Sequence, residues 1–193
     1  CVRNTPGMPL GSFYGYKTGG VNPETGELIY LDTNEDGEVT ANDRTYMGDP
    51  NPDFTFGMTN TFQFYGVTIS FLLQGSYGND VFNASRIETE GMYDAKNQSI
   101  RVLDRWRRPG MITSIPKAGF DMKVSDYFVE DGSYIRLKDL TIGYEFSGDW
   151  MKKIGMTRLQ PYFSAQNLFT LTKYLGMDPE VNQYGNSGTV QGL

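Results

Sequence analysis

Between Tyr127 and Thr172 the chain reads YFVEDGSYIRLKDLTIGYEFSGDWMKKIGMTRLQPYFSAQNLFTLT. Two alternating runs in this stretch limit the fold more than anything else in the sequence. In the first, Leu140, Ile142, Tyr144 and Phe146 fall on one face and Thr141, Gly143 and Glu145 on the other. In the second, Leu159, Pro161, Phe163, Ala165 and Phe169 alternate with Gln160, Tyr162, Ser164 and Gln166. A period of two is the mark of a strand whose faces meet different surroundings. A sandwich strand with one buried face satisfies it, and so does a membrane-barrel strand with lipid outside and water inside. On periodicity alone the soluble sandwich stands first, being the commoner class.

A second pair of runs sharpens the choice. Phe54, Phe56, Met58, Phe62 and Phe64 oppose Thr55, Gly57, Thr59, Thr61 and Gln63. After Tyr65-Gly66, Val67, Ile69, Phe71 and Leu73 oppose Thr68, Ser70, Leu72, Gln74 and Ser76. This predicts a hairpin whose polar face carries Thr, Ser and Gln and no charge. A soluble sandwich more often charges its outer face, whereas an apolar outer band against a small-polar inner face is the barrel pattern. In the Tyr127–Thr172 stretch, Ile135 and Leu137 fall out of step with Leu140 and Ile142, which predicts a bulge near Asp139 or a strand rising above the membrane.

Composition bears on this at three points. With 23 Gly and 14% aromatic residues the 193-residue chain favours strand over helix. No apolar run is long enough for a transmembrane helix, which leaves barrels untouched. A net charge of −6 without a basic stripe makes nucleic acid a poor partner, and zero His removes the usual general base and the commonest zinc ligand. The single cysteine, Cys1, makes no internal disulfide; it fits a fragment boundary or a lipidated first residue.

Leu31 to Arg44 reads LDTNEDGEVTANDR. Asp32, Asn34, Asp36, Glu38 and Asp43 occupy positions 1, 3, 5, 7 and 12 of a calcium-type loop, with Gly37 at position 6 and Thr40 at position 9. Alternating oxygens turn inward, glycine allows the sharp bend, and Glu38 lends its backbone carbonyl. Asp in place of Glu at position 12, with no amphipathic helix before the loop, is closer to the dockerin type than to an EF-hand. The plain alternative is an Asx-rich turn without metal. The expected cofactor is a structural calcium.

The wording VEDGSYIRLKDLTIGYEF, the QNLFTLTKYLGMDPEV of Gln166–Val181, the SFYGY of Ser12–Tyr16, and the D-x-N-x-D-G stretch ahead of Gly48–Phe54 (GDPNPDF) resemble the C-terminal barrel region of SusC-like TonB-dependent outer-membrane transporters of the Bacteroidetes. The resemblance runs from about Ser12 to Val181 and is weakest between Ala84 and Phe120. It implies an all-β fold: the C-terminal part of a large antiparallel transmembrane β-barrel with long extracellular loops. On this reading residues 1–193 are a partial barrel domain with the calcium-type loop at 32–43 and a long irregular extracellular loop at 78–132. The loop-like Val181–Leu193 takes the place of the family's closing strand, so the final strand is expected to be absent and the chain truncated.

The resemblance further implies import of oligosaccharides, peptides or other nutrients, membrane lipid around the barrel, a SusD-like surface lipoprotein as lid, and energy from TonB–ExbB–ExbD through an N-terminal part not in this sequence. The location implied is the outer membrane, with no enzymatic activity. Short connectors at Tyr65-Gly66 and Ser147–Thr157 are expected to be periplasmic.

Asn97–Trp106 is expected to form a short helix with Ile100, Val102, Leu103 and Trp106 on one side. Arg101, Arg105, Arg107 and Arg108 are expected to form a solvated cluster paired with acids such as Asp104. Tyr93, Arg105 and Trp106 are the candidate substrate contacts. Two other classes compete. One is a soluble, calcium-stabilised β-sandwich acting as a carbohydrate-binding or adhesion module. The other is a glycoside hydrolase drawing on Glu88, Glu90, Asp126 and Glu130, among which no spacing singles out a pair.

Overall fold

The computed structural model describes residues 2–148, 150 and 153–180. The readings of Cys1 and of Val181–Leu193 therefore lie outside the described residues. In chain order the elements are β1 (Phe13–Gly15), β2 (Thr18–Val21), β3 (Leu28–Tyr30), β4 (Thr45–Gly48), β5 (Phe54–Phe64), β6 (Val67–Tyr77), β7 (Asp80–Phe82), α1 (Ser85–Gly91), β8 (Val129–Asp131), β9 (Tyr134–Tyr144) and β10 (Tyr162–Thr172). Strand dominates and α1 is seven residues long, so the all-β expectation holds. The chain divides into two units: Pro52–Gly78 with Ser133–Lys173, and Cys1–Asn51 with Asn79–Gly132 and Tyr174–Leu193.

The first unit is a four-stranded antiparallel sheet in the order β10-β9-β6-β5. It is open, not closed into a barrel. Its β5–β6 hairpin pairs Phe64 with Val67 around Tyr65 (φ 47°) and Gly66 (φ 83°). Two successive positive φ values make the type I′ turn, whose twist matches that of the strands it joins. Each of the four strands has 11 residues. At 3.3–3.4 Å per residue and a tilt of 45°, that spans about 25 Å, the height of an outer-membrane apolar band.

Register converts the alternation into two continuous faces. Phe62 pairs with Ile69, Ile69 with Ile142 and Ile142 with Phe163; likewise Met58 pairs with Leu73, Leu73 with Leu137 and Leu137 with Phe169. Directly paired residues share a face, so one side of the sheet is apolar across all four strands. The other side sets Thr61 against Ser70, Ser70 against Thr141 and Thr141 against Ser164. The phase change near Asp139 is a bulge: Leu72 and Leu73 pair with Asp139 and Leu137, leaving Lys138 as one extra residue in β9. β10 adds two at the same level, since Gln166 and Phe169 pair with Asp139 and Leu137. A bulge inserts a residue without inverting the alternation beyond it, so Ile135 and Leu137 return to the apolar face.

The second unit corrects the expectation of an irregular 78–132 loop. Phe13, Leu28, Phe82, Met122 and Phe128 form a buried cluster. Phe82 packs against Phe13 (centroids 6.0 Å apart) and, edge-on, against Phe128 (5.9 Å). Three two-stranded sheets, β1–β4, β2–β3 and β7–β8, surround it. The loop is folded because residues 12–30 supply the partners for its apolar side chains.

Two local expectations also change. The helix over Asn97–Trp106 is a 3-10 turn at Ile100–Asp104, capped by Ser99, whose hydroxyl accepts the Arg101 amide at 3.3 Å. Only Val102 is buried within it; Ile100 and Leu103 are exposed. The true helix, α1, has no apolar stripe. The residues it buries are Arg86, Glu90 and Gly91, and hydrophobic periodicity is blind to a charged buried face.

Candidate functional site

The polar sheet face is built from hydroxyls and amides. Thr61 and Ser70 share a hydrogen bond at 3.0 Å, and Thr141 and Ser164 share another at 3.2 Å. Charge in the four strands is confined to Arg136, Lys138 and Asp139 of β9. Arg136 is buried and donates from Nε to the Thr170 hydroxyl at 2.9 Å. The Thr141 hydroxyl donates to Asp139 at 3.2 Å. On the apolar face, by contrast, Phe54, Phe56, Met58, Phe62, Phe64, Ile135, Ile142, Phe163, Phe169 and Leu171 are exposed. A sandwich would bury such a face under a second sheet; here it is presented outward.

The 32–43 loop has the expected turn. Gly37 lies at φ 91°, and its amide donates to Asp32 Oδ2 at 2.7 Å. Asp36 accepts the Glu38 amide at 2.9 Å and the Asn34 side-chain amide at 2.8 Å. Asp43 is fully buried: it accepts the Thr33 amide (2.9 Å) and the Asn34 amide (3.3 Å) on one oxygen and the Thr40 amide (2.7 Å) on the other. The Thr40 amide, followed by those of Thr33 and Asn34, holds the Asp43 carboxyl below the usual carboxylate range against the opposing effect of burial. The donor set and the bend fit a hard cation. As placed, the carboxylates are spread along the loop, and among the described residues no group of three or more His, Cys, Asp or Glu side chains converges on one point.

The candidate substrate contacts are engaged with backbone. Tyr93 donates to the Phe120 carbonyl at 2.9 Å and accepts the Met122 amide at 3.2 Å. Trp106 donates to the Pro23 carbonyl at 2.7 Å, and its ring lies where a side chain on Gly26 would be. Arg105 donates to the Val102 carbonyl at 3.2 Å. Among the described residues, the ion pair this arginine cluster makes is to Glu90, an acid other than Asp104. Arg101 instead reaches Glu90 at 2.8 Å, and Arg107 donates to the Leu103 carbonyl at 2.6 Å.

A buried charge network went unseen in the sequence. Arg86 bonds Glu90 and Glu130, each at 3.0 Å, and the Tyr127 carbonyl at 2.6 Å. The Tyr127 hydroxyl donates to Glu90 at 3.0 Å. Burial, then the nearby Glu90 charge, pushes the Tyr127 phenol up to about 12. Burial alone would lower the Arg86 pKa; its hydrogen bond to Glu90 and the surrounding negative charge outweigh that and raise it. The i,i+4 spacing of Arg86 and Glu90 was the available signal. The remaining hydrolase candidates are engaged too: Glu88 pairs with Lys96 at 2.9 Å, and Asp126 accepts the Thr18 amide at 2.9 Å and its hydroxyl at 2.6 Å.

The chain has counterparts among known proteins. The chain is 31% identical, over 91% of its length, to TonB-dependent receptor P3 of Formosa agariphila, of which it covers 19%. It is 28% identical, again over 91% of its length, to TonB-dependent receptor SusC of Bacteroides thetaiotaomicron, covering 17% of that protein.

The chain is similar to part of proteins named TonB-dependent receptor, SusC among them.

Its fold agrees with that of the RagAB peptide transporter (TM-score 0.76, 24% identity, 87% of this chain and 20% of the other) and with the open-open RagAB importer (TM-score 0.73, 24% identity, 90% and 20%). No family model matches. The chain spans about a fifth of the length of the curated relatives it matches. Those relatives carry the names of receptors, not of enzymes.

Proposed function

We propose that the four long strands form part of the wall of an outer-membrane β-barrel that imports nutrients in a TonB-dependent manner. The observation that carries this reading is the register: it joins Phe62, Ile69, Ile142 and Phe163 into one exposed apolar face, and Thr61, Ser70, Thr141 and Ser164 into one polar face. Lipid meets the first and an aqueous lumen the second. The Tyr65-Gly66 and Ser147–Thr157 connectors then face the periplasm, and the unit built on Phe13, Phe82 and Phe128 lies outside the cell. Homology to a protein named SusC supports a SusD-like lipoprotein lid, coupling to TonB–ExbB–ExbD, and an oligosaccharide or peptide substrate.

Spin labels test the wall directly. In the full-length receptor carrying this segment, labels at Phe56, Phe62, Ile69 and Phe71 should report hydrocarbon, and labels at Thr59 and Ser70 water. A reversed pattern, or water at all six, overturns the barrel and restores the sandwich module.

For the 32–43 loop we propose calcium as a structural ion, with Asp32, Asn34, Asp36 and Asp43 as side-chain ligands and Glu38 contributing its carbonyl. The support is the Gly37 bend that the Asp32 carboxylate already caps. Calcium should raise the thermal midpoint, and Asp36→Ala should abolish the rise. A rise that survives the substitution places the ion elsewhere, and no rise in the unsubstituted protein removes the proposal.

A further inference from the structure

The two strand irregularities fall side by side. Against β6, β9 holds one extra residue, Lys138, and β10 holds Asn167 and Leu168. Asn167 sits at φ 50°, a left-handed conformation that asparagine adopts more readily than other residues with a β-carbon. Adjacent bulges redirect side chains and leave the strands locally parted. Here they border a hollow of about 450 Å³ whose lining includes Ser70, Leu72, Lys138, Asp139, Gln166 and Asn167. β5, β6 and β10 contribute no charge at all, so the only charges in that lining are one ammonium and one carboxylate from consecutive residues.

We propose that this hollow is a peptide-binding station on the import path; the inference rests on the reading that the polar face lines that path. Lys138 offers a cation to a peptide carboxylate, and Asp139 accepts from an ammonium or amide N–H. The primary amides of Gln166 and Asn167 each donate and accept, which matches the paired N–H and C=O of a peptide group. Leu72 supplies an apolar surface for a small side chain. A neutral sugar can hydrogen-bond to the amides and the carboxylate but leaves the Lys138 charge without a counter-charge. Its ring faces want an aromatic platform, and Phe71, which borders the hollow, belongs by register to the opposite face.

Cysteine protection separates the possibilities. Ser70→Cys is placed in the full-length receptor on a background lacking other cysteines, and its labelling by an aqueous maleimide is followed with trialanine or maltotriose present. Trialanine should slow labelling and maltotriose should not. The trialanine concentration needed should rise about tenfold in Lys138→Gln/Asp139→Asn, which removes the charge-assisted hydrogen bonds. Should that variant fail to assemble, Gln166→Leu replaces it with the same expectation. Labelling that neither ligand slows, or that both slow equally, overturns the peptide station and leaves the transporter reading intact. A Ser70→Cys that reacts only after denaturation shows no water at that face and overturns both.

Discussion

At the scale of single residues, two aspartates titrate in opposite senses. Burial raises the Asp80 pKa, with the Asp131 and Asp49 charges adding to it and the Asp49 amide opposing. Asp80 therefore favours the fold most below the ordinary aspartate range, and that contribution is lost as pH rises through its raised value. Asp43, lowered by the Thr40, Thr33 and Asn34 amides, contributes above the ordinary range and loses it as pH falls through its depressed value. Melting curves against pH should show Asp80→Asn gaining relative stability toward neutral pH and Asp43→Asn losing it there. Arg86 is the more drastic case. Replacing it with Met leaves Glu130 without the Arg86 cation and Glu90 with Arg101 but not Arg86, in a buried setting, at a cost of about 3–5 kcal/mol in a denaturant titration. A change under about 1 kcal/mol would show that water already reaches the network.

Elements fail for geometric reasons. Gly66 lies at φ 83°, and a β-carbon there would approach the Glu145 carbonyl at 2.8 Å. Gly66→Val should lower the unfolding midpoint of the refolded protein by the equivalent of about 1–2 kcal/mol or more, whereas Tyr65→Asn, whose side chain tolerates positive φ, should not lower it. Removing Lys138 tests the bulge. Without the extra residue Leu137 adjoins Asp139, so the pairs Leu73–Leu137 and Leu72–Asp139 become consecutive and the faces of Ile135, Arg136 and Leu137 are kept while the local bend is lost. A normal heat-modifiable folded band is the expected result, and its loss would mean that the bulge itself is needed for assembly.

For the whole molecule, the decisive question is what touches each face of the sheet. Phe71→Arg places a charge at mid-height on the apolar face and should cost about 2–4 kcal/mol when refolding into bilayers is titrated with denaturant; Ser70→Arg, one residue along on the polar face, should cost far less. Equal costs would mean that both faces meet the same medium.

The sequence by itself determined the long strands, their two faces and the tight turn between β5 and β6, because a period of two and a Tyr-Gly pair are local properties. It also carried the phase slip near Asp139, legible as Ile135 and Leu137 falling out of step. The oxygen spacing of the 32–43 loop was legible too, and its bend at Gly37 is present. Only the tertiary structure decided that 78–132 folds. The partners of Phe82 and Phe128 lie about fifty to a hundred and fifteen residues earlier, at Phe13 and Leu28, and no local window contains both. It alone showed that α1 buries a salt bridge, and that Tyr93, Arg105 and Trp106 bind backbone carbonyls. A donor's partner is chosen by what the fold brings near it, and sequence spacing does not record that.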